Sequence, residues 1–315
     1  MDNKVCVDAG SEYCPCHLAK SGDCISCSLL SGKDLCECNL KGTCIYQKLK
    51  KNNEKISEPR EGISCKVLKK KEIQTNIYLL SISIPKCLAY ELIHPGSYIL
   101  LKDKNRKDDM FNSPISVMNI DLKSYTLDIV VEILGPKTKD LLNSDTVFIK
   151  GPYTNGIFGI KYFKKLKSKK VLILAKGLSS VTLINAVNNL LKNNNEVKVF
   201  FDNTGKKIEE VERKLKELNL ELKHFDFKNN ENLIKEELKK GVDMVFSAGS
   251  NRFNKNSMNI VDSVDDKISL AITNNNLICC GEGVCGACII NIKGEKIKTC
   301  KTQIEPRVYL KEALK

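Results

Sequence analysis

The 315-residue chain has no tryptophan, and only 6% of its residues are aromatic. Surfaces that bind nucleic acids interleave basic side chains with aromatic ones on which bases stack. The formal net charge of +13 comes mainly from lysines that are dispersed among many asparagines. Such a pattern is typical of solvated surfaces, so we expect no nucleic-acid partner.

Long apolar runs are also missing. No segment approaches the length that spans a bilayer, and residues 1–30 lack the apolar core of a signal peptide. The chain nevertheless has 15 cysteines. Clustered cysteines without an export signal are more typical of metal ligands in a reducing compartment than of disulfides. We therefore expect a globular, cytoplasmic protein of two or three domains that has no membrane association.

Catalytic motifs that depend on side chains alone are absent as well. The sequence contains no Ser-His-Asp arrangement, no pair of catalytic carboxylates and no zinc-protease helix motif. His94 and His224 are more typical of structural residues than of ligands or bases. No catalytic residue is therefore assigned, and any chemistry is expected to come from bound cofactors.

The C-terminal region has the most informative motif. Cys280, Cys285 and Cys288 follow a C-x4-C-x2-C spacing, and Cys300 adds a fourth thiol after a short insertion. This is the plant-type ligand pattern of a [2Fe-2S] cluster, and the intervening glycines allow the backbone to fold tightly around one. A zinc knuckle is the alternative. The neighbouring Cys279 is interpreted as a buried spare thiol.

A second cysteine cluster occupies residues 1–47. Its members are Cys6, Cys14, Cys16, Cys24, Cys27, Cys36, Cys38 and Cys44. So short a segment cannot build a hydrophobic core alone, which indicates that metal holds it together. The pairs Cys14/Cys16 and Cys36/Cys38 do not match the bacterial ferredoxin spacing, so an iron-sulfur cluster, zinc and a free-thiol or redox-disulfide segment all remain open. Two isolated cysteines, Cys65 and Cys87, are interpreted as small core residues in strands.

The remaining sequence predicts two further domains. After a polar linker at 48–61, six short β-rich runs between residues 63 and 150 predict an antiparallel β-barrel. From residue 171, strand and helix patterns alternate, which predicts a doubly wound, Rossmann-like parallel sheet. The predicted domains are 61–160 for the barrel, 161–270 for the Rossmann-like unit and 271–315 for the cluster segment.

This order of domains resembles the ferredoxin-reductase superfamily. More closely, residues 61–305 resemble the electron-transfer subunit of type B dihydroorotate dehydrogenases, which carries FAD and a [2Fe-2S] cluster. The segments that carry the resemblance are 95–102 (PGSYILLK), 113–117 (SPISV), 151–156 (GPYTNG) and the C-terminal cysteines. The N-terminal cysteine segment lies outside the pattern of that family.

The resemblance implies a flavin site and a nucleotide site. Pro114, Ile115 and Ser116 would lie along the flavin, with Ser116 hydrogen bonded to its ring. The arginine of the family before this proline is replaced, because Asn112 and Ser113 stand there. An ordinary edge strand is the alternative for Pro-Ile-Ser. The residues expected to bind flavin or nucleotide are Gly96, Tyr98, Pro114, Ile115, Ser116, Gly151, Pro152, Tyr153, Gly177, Ser179 and Asp202.

Of the two expected binding sites, the nucleotide site differs more from the sequence pattern of the family. Its glycine-rich turn is replaced by residues 175–180 (AKGLSS), in which Gly177 and Ser179 still offer small residues near a helix N-terminus. Asp202 is placed to accept a hydrogen bond from a ribose hydroxyl. Retention of the fold with little or no affinity for NAD(P)H is the alternative.

These features predict an oxidoreductase subunit that transfers electrons between NAD(P)H or a partner oxidoreductase and FAD and [2Fe-2S] centres. A partner subunit would hold the substrate site, and the basic surface offers a dock for an acidic redox protein. The N-terminal cysteines would extend the electron path or bind that partner. The alternative function is a non-enzymatic metal-binding adaptor or redox sensor on a reductase scaffold.

Overall fold

The computed structural model describes residues 5–38, 42–106 and 112–313. Its strands are β1 (Val5–Cys6), β2 (Gly62–Gln74), β3 (Ile77–Ser83), β4 (Tyr98–Asp103), β5 (Ser113–Asp121), β6 (Thr126–Glu132), β7 (Thr146–Tyr153), β8 (Ile157–Phe158), β9 (Lys170–Ala175), β10 (Glu196–Asp202), β11 (Leu222–Phe225), β12 (Met244–Ala248), β13 (Ser269–Thr273), β14 (Ile289–Ile292), β15 (Glu295–Lys298) and β16 (Thr302–Gln303).

The helices alternate with the later strands. They are α1 (His17–Lys20), α2 (Ile45–Lys51), α3 (Lys86–Leu92), α4 (Pro136–Asn143), α5 (Ile160–Lys165), α6 (Leu183–Lys192), α7 (Glu209–Glu217), α8 (Glu231–Leu238), α9 (Asn251–Val264) and α10 (Pro306–Glu312), with 3-10 turns at Leu29–Ser31 and Gly177–Thr182. No helix within the described residues is long and apolar enough to cross a membrane.

The first large unit is a closed antiparallel barrel. Its strands pair in the order β2-β3-β6-β5-β4-β7, and β7 returns to β2. Inward-facing side chains such as Leu80, Ile82 and Ile129 are fully buried, as the alternating sequence pattern predicts. This confirms the predicted antiparallel barrel.

The second large unit is a six-stranded sheet in the order β11-β10-β9-β12-β13-β8. All neighbouring strands are parallel except β8, which pairs antiparallel with β13. The run Val171–Ala175 is buried throughout because helices cover both faces of a parallel sheet. Ser250 caps the N-terminus of helix α9, because its side chain accepts a hydrogen bond from the Phe253 backbone. The predicted doubly wound unit is therefore confirmed.

Two segments, one near each end of the sequence, pair with each other. Strand β1 pairs antiparallel with β16, so that Cys6 lies opposite Thr302. The hairpin of β14 and β15 lies between the last C-terminal cysteines and packs against α10. This arrangement brings the N-terminal cysteine segment onto the C-terminal one.

Two sequence-based interpretations were wrong. Residues 48–61 are not simply a polar linker, because α2 extends to Lys51 and Arg60 is buried with 6% of its surface exposed. Cys87 is exposed on α3 and does not lie in a strand, whereas Cys65 is buried in the barrel as expected. In both cases the local sequence pattern does not show which residues are buried by distant parts of the chain.

Candidate functional site

Strand pairing gathers the three expected flavin segments at one end of the barrel. Tyr98 of β4 lies opposite Ser116 of β5, and on its other side it pairs with Tyr153 of β7. The rings of Tyr98 and Tyr153 stack with centroids 5.2 Å apart. Gly96 and Pro152 are buried beside them. The barrel thus brings together three segments that are separate in the sequence.

The residues at this end of the barrel fit a flavin in two respects. Pro114 is exposed and Ile115 and Ser116 are half-buried, so the edge of β5 is accessible to a flat ring laid along it. In addition, the side-chain oxygens of Ser97, Tyr98 and Asn112 are buried without a hydrogen-bond partner among the described residues. Buried polar atoms normally have partners, so these three are available to a bound polar group.

The C-terminal cysteines lie directly against this end of the barrel. Cys288 and Cys300 are buried in one apolar cluster with Tyr98, Tyr153 and Ile278. The sulfur atoms of Cys288 and Cys300 are 3.1 Å apart. Their hydrogen bond lowers the pKa of Cys288 and raises that of Cys300, so the pair favours one thiolate that is hydrogen bonded to one thiol.

The other two cysteines of the motif lie on the preceding loop. Cys280 is half-buried, and its sulfur accepts a hydrogen bond from the Glu282 backbone N–H at 3.3 Å, whereas Cys285 is exposed. Backbone donors to sulfur are a regular feature of iron-sulfur sites. Between these cysteines, Gly281 has a φ of +69°, and a Cβ there would lie 2.4 Å from the Tyr153 ring. Only glycine allows the loop to pack this closely on the barrel.

The four-thiol donor set fits a [2Fe-2S] cluster in its chemistry. Across the described residues, however, no group of three or more His, Cys, Asp and Glu side chains converges closely enough to hold a metal ion. Cys288 and Cys300 already form a close pair, while Cys285 lies on the exposed side of the loop. Assignment of the ligands thus stays a prediction from the motif.

A buried group of four charged residues, here called the ion-pair network, joins the two cysteine segments to the barrel. It consists of Asp8, Arg60, Glu282 and Lys301, whose side chains are 18% exposed or less. Arg60 lies 2.8 Å from Asp8 and 3.0 Å from Glu282, and Lys301 bridges the same two carboxylates. Two cations and two anions leave the network neutral, as burial requires.

Aromatic rings enclose the guanidinium of this network. The central carbon of the Arg60 guanidinium lies 3.7 Å from the Tyr13 ring centroid and 4.7 Å from that of Tyr153. Tyr153 also donates a hydrogen bond to Glu282 at 2.9 Å. Planar stacking of this kind suits arginine and not lysine.

Electrostatics within the network favour the charged forms. Burial by itself would raise the pKa of Asp8 and Glu282, but Lys301 and Arg60 hold both pKa values below their usual range. The same carboxylates raise the pKa of Lys301 against the opposing effect of burial. Lys301, which directly follows Cys300, therefore stays positively charged.

Side chains of the protein itself occupy part of the expected nucleotide site. Gly177 and Ser179 lie in the 3-10 turn that follows β9, and both are half-buried. Asp202 is buried at the end of β10, where it forms an ion pair with Lys176 at 3.3 Å and accepts a hydrogen bond from the Thr204 backbone at 2.8 Å. The carboxylate expected to bind ribose is thus already engaged by the turn.

The eight N-terminal cysteines differ in exposure. Cys14 and Cys27 are buried, Cys36 and Cys44 are exposed, and Cys6, Cys16, Cys24 and Cys38 are half-buried. The sulfur atoms of Cys36 and Cys38 are 4.0 Å apart. The segment also has an apolar cluster in which Leu30, Ile45 and Leu49 surround Cys14 and Cys27.

Sequence reasoning missed the ion-pair network. Arg60 lay in the supposed linker, and Asp8, Glu282 and Lys301 were not distinguished from other charges. One signal was available, because only five of the 51 basic residues are arginine. An arginine in so lysine-rich a chain indicates a need for stacking or forked hydrogen bonds.

Comparisons with known proteins agree with this architecture. No family model matches the chain. The electron transfer subunit of dihydroorotate dehydrogenase B (NAD(+)) from Clostridium acetobutylicum is 24% identical over 240 residues, which cover 75% of this chain and 91% of that protein.

Solved structures support the fold. An NADH-dependent reduced ferredoxin-NADP oxidoreductase aligns with a TM-score of 0.59 at 17% identity, covering 75% of this chain and 85% of the other. The CS-b5R domains of human Ncb5or align with a TM-score of 0.52 at 16% identity, and the alignment covers 69% of this chain and 70% of that chain. The predicted resemblance to the ferredoxin-reductase superfamily is therefore confirmed, and the chain has that fold.

Proposed function

We propose that this chain is a flavin and iron-sulfur electron-transfer subunit of an oxidoreductase. The proposal is supported by the similarity to an electron transfer subunit and by the cysteine motif that follows the reductase fold. FAD exchanges electrons in pairs or singly, and a [2Fe-2S] cluster exchanges them singly, so together they convert one kind of transfer into the other.

One observation carries the proposal. The stacked rings of Tyr98 and Tyr153 belong to the flavin segments of the barrel, yet they pack in one apolar cluster with Cys288 and Cys300. Two cofactors held by these segments would therefore be close neighbours, separated by buried side chains from which water is excluded. Such proximity is what electron transfer between them requires.

Specific residues would hold the two groups. Pro114, Ile115 and Ser116 would line the flavin ring, and the unpartnered oxygens of Ser97 and Asn112 would hydrogen bond to its polar atoms. Cys280, Cys285, Cys288 and Cys300 would ligate the cluster.

The substrate site is assigned to a partner protein. No acid-base set for substrate chemistry was recognised in the sequence, and the similar protein is itself one subunit of a larger enzyme by its name. The N-terminal cysteine segment, which lies against the cluster segment, would extend the electron path or contact that partner.

The visible absorption spectrum of protein purified without oxygen tests this function. We expect flavin maxima together with the broad shoulders of an iron-sulfur cluster, and bleaching of both on reduction. A colourless protein that contains only zinc would contradict the proposal.

A second function is favoured by one observation. Lys176 engages Asp202 where a nucleotide ribose would bind, which suits a metal-binding adaptor or redox sensor that keeps the reductase fold as a scaffold. This alternative predicts no flavin and no reduction by any nicotinamide nucleotide. The same spectrum, repeated after addition of NADH, separates the two functions.

A further inference from the structure

Two of the N-terminal cysteines form a close pair at the protein surface. The sulfur atoms of Cys36 and Cys38 are 4.0 Å apart, which is close to van der Waals contact. Both residues carry free thiols, and only Glu37 separates them in the sequence. The two sulfurs are therefore placed to react with each other.

The backbone around this pair is compatible with a disulfide bond. Cα atoms two residues apart lie at most about 7 Å from each other, and disulfides span Cα separations of roughly 4.4–6.8 Å. The sulfurs must approach from 4.0 Å to a bond length of about 2.05 Å. Rotation of the two short side chains between staggered positions supplies a movement of this size. The reduced pair is thus near the geometry of its oxidised form.

Hydrogen bonds to Ser28 hold the loop that carries the pair. The Ser28 hydroxyl accepts a hydrogen bond from the Glu37 backbone N–H at 2.8 Å and donates one to the Leu35 carbonyl at 2.9 Å. The carboxylate of Glu37 forms an ion pair with Lys33 at 2.6 Å. The loop is therefore anchored on both sides of Cys36, and contacts of the protein itself keep the two sulfurs together.

The pair is accessible to other molecules. Cys36 is exposed and Cys38 is half-buried, and the adjacent Leu35 is 72% exposed. By contrast, Cys14 and Cys27 are buried in the apolar cluster of this segment. A thiol must reach the sulfur that it attacks in order to exchange with a disulfide. Cys36 meets this requirement.

The number of ligand-type side chains at the pair suits redox chemistry and not metal binding. Structural zinc sites use four protein ligands and catalytic zinc sites use three. Among the residues that the structure describes, no group of three or more His, Cys, Asp and Glu side chains could hold a metal ion. Two thiols alone have the composition of a couple that alternates between a dithiol and a disulfide, and exposed disulfides are the ones that exchange readily.

We propose that Cys36 and Cys38 form a thiol–disulfide exchange site whose substrate is an accessible disulfide bond. The Cys36 thiolate attacks one substrate sulfur, which forms a mixed disulfide and releases the other substrate sulfur as a thiol. Cys38 then attacks the sulfur of Cys36 and releases the second substrate thiol. Two electrons pass to the substrate, the protons of both cysteines end on the two substrate thiols, and the protein retains the Cys36–Cys38 disulfide. This site goes beyond the proposed electron-transfer function and requires neither flavin nor the C-terminal cysteines.

The test treats the full-length chain, freshly reduced and handled without oxygen, with oxidised glutathione as the substrate disulfide. Mass spectrometry follows the tryptic peptide of residues 34–41, which contains no other cysteine. We expect both cysteines to be alkylated before treatment, and we expect the peptide to lose two hydrogen atoms and resist alkylation after it. The exposed Cys87 on α3, outside the pair, should instead keep a bound glutathione. A disulfide-bonded peptide, tested in parallel, shows by the relative rates whether the substrate is a peptide or a small molecule.

Two variants separate the roles of the paired thiols. Cys38→Ser should trap the mixed disulfide with glutathione on Cys36, because the second thiol that displaces glutathione is gone. Cys36→Ser should react at the half-buried Cys38 several-fold more slowly. Cys44→Ser alters another exposed thiol of the segment, and as the matched control it should leave formation of the Cys36–Cys38 disulfide unchanged.

Results on the unmutated chain can overturn the inference, so it does not depend on whether a variant folds. Protection of Cys36 and Cys38 from alkylation before treatment, together with bound zinc or iron, would overturn it. Alkylation of both cysteines after treatment would do so too, as would a disulfide from either one to a different cysteine of the chain. Absence of flavin or of an iron-sulfur signal bears on the proposed function alone.

Discussion

Arg60 shows how one residue can join several parts of a fold. Its guanidinium stacks between Tyr13 and Tyr153 and bonds to Asp8 and Glu282, so it contacts the N-terminal segment, the barrel and the cluster loop. Lysine has a single ammonium and no planar surface, so it cannot make these contacts at once. The geometry therefore requires arginine at this position.

Replacing Arg60 should destabilise the protein strongly. Arg60→Met leaves Asp8 and Glu282 with Lys301 as their only cation, and loss of one partner from a buried ion pair costs about 3–5 kcal/mol. Arg213→Met is the matched control, because Arg213 and its partner Glu217 are both 58% exposed. Urea denaturation measures both free energies of unfolding. Equal small losses in the two variants would show that the network contributes no net stability.

Gly281 provides a second prediction at the residue scale. Gly281→Ala places a methyl group 2.4 Å from the Tyr153 ring and forces alanine into a left-handed conformation. Gly294→Ala, in the turn between β14 and β15, imposes the same conformation with no atom within 4 Å. The conformational term alone is about 1–2 kcal/mol. We expect Gly281→Ala to lower stability clearly more than Gly294→Ala in thermal unfolding; similar losses would mean that the loop does not pack on the barrel as described.

The C-terminal cysteine loop, at the scale of an element, combines buried and exposed cysteines. Cys288 and Cys300 pack on the barrel, whereas Cys285 lies on the exposed side. Cys285→Ser should therefore abolish the rhombic electron paramagnetic resonance signal of the reduced [2Fe-2S] cluster and leave FAD bound. Cys279→Ser, which alters the half-buried neighbouring thiol, is the control and should retain the signal. An unchanged signal in Cys285→Ser would refute the ligand assignment.

The turn after β9 predicts weak nucleotide binding. Lys176 and Leu178 add side chains where a glycine-rich turn lets the backbone approach a pyrophosphate, and Lys176 holds Asp202 in an ion pair. We expect isothermal titration to show weak binding of NADH and NADPH or none. If the ion pair blocks the ribose site, Lys176→Ala raises the affinity and Lys206→Ala, on the nearby surface, does not. Tight binding with fast flavin bleaching in the unmodified protein would contradict this interpretation.

At the scale of the whole molecule, the N-terminal segment is part of the same assembly as the C-terminal one. Strand β1 pairs with β16, and Asp8 completes the ion-pair network. Deletion of residues 1–47 should lower the iron and sulfide content to about two of each per chain, as one [2Fe-2S] cluster requires. It should also lower the unfolding temperature, because Arg60 and Lys301 lose a buried counter-ion. Unchanged iron content after deletion would show that the segment holds no cluster.

Local patterns predicted much of the architecture. The β-rich runs of residues 63–150 correspond to β2 to β7, and the alternation after residue 171 corresponds to β9 to β12 with their helices. Strand β8 and the pairing of β1 with β16 went unpredicted, because two-residue strands have too little periodicity to be recognised. Cys87 was misplaced for a related reason, since a cysteine in a short apolar segment fits either a strand or a helix.

The sequence by itself determined the barrel, the parallel sheet and the cysteine motifs, because periodicity and ligand spacing are properties of neighbouring residues. Tertiary structure alone decided which distant residues meet. It placed Tyr98 and Tyr153 against Cys288 and Cys300 and buried Arg60 between two tyrosines. The physical reason is that desolvation, ion pairing and ring stacking depend on contacts across long stretches of sequence, which no local pattern records.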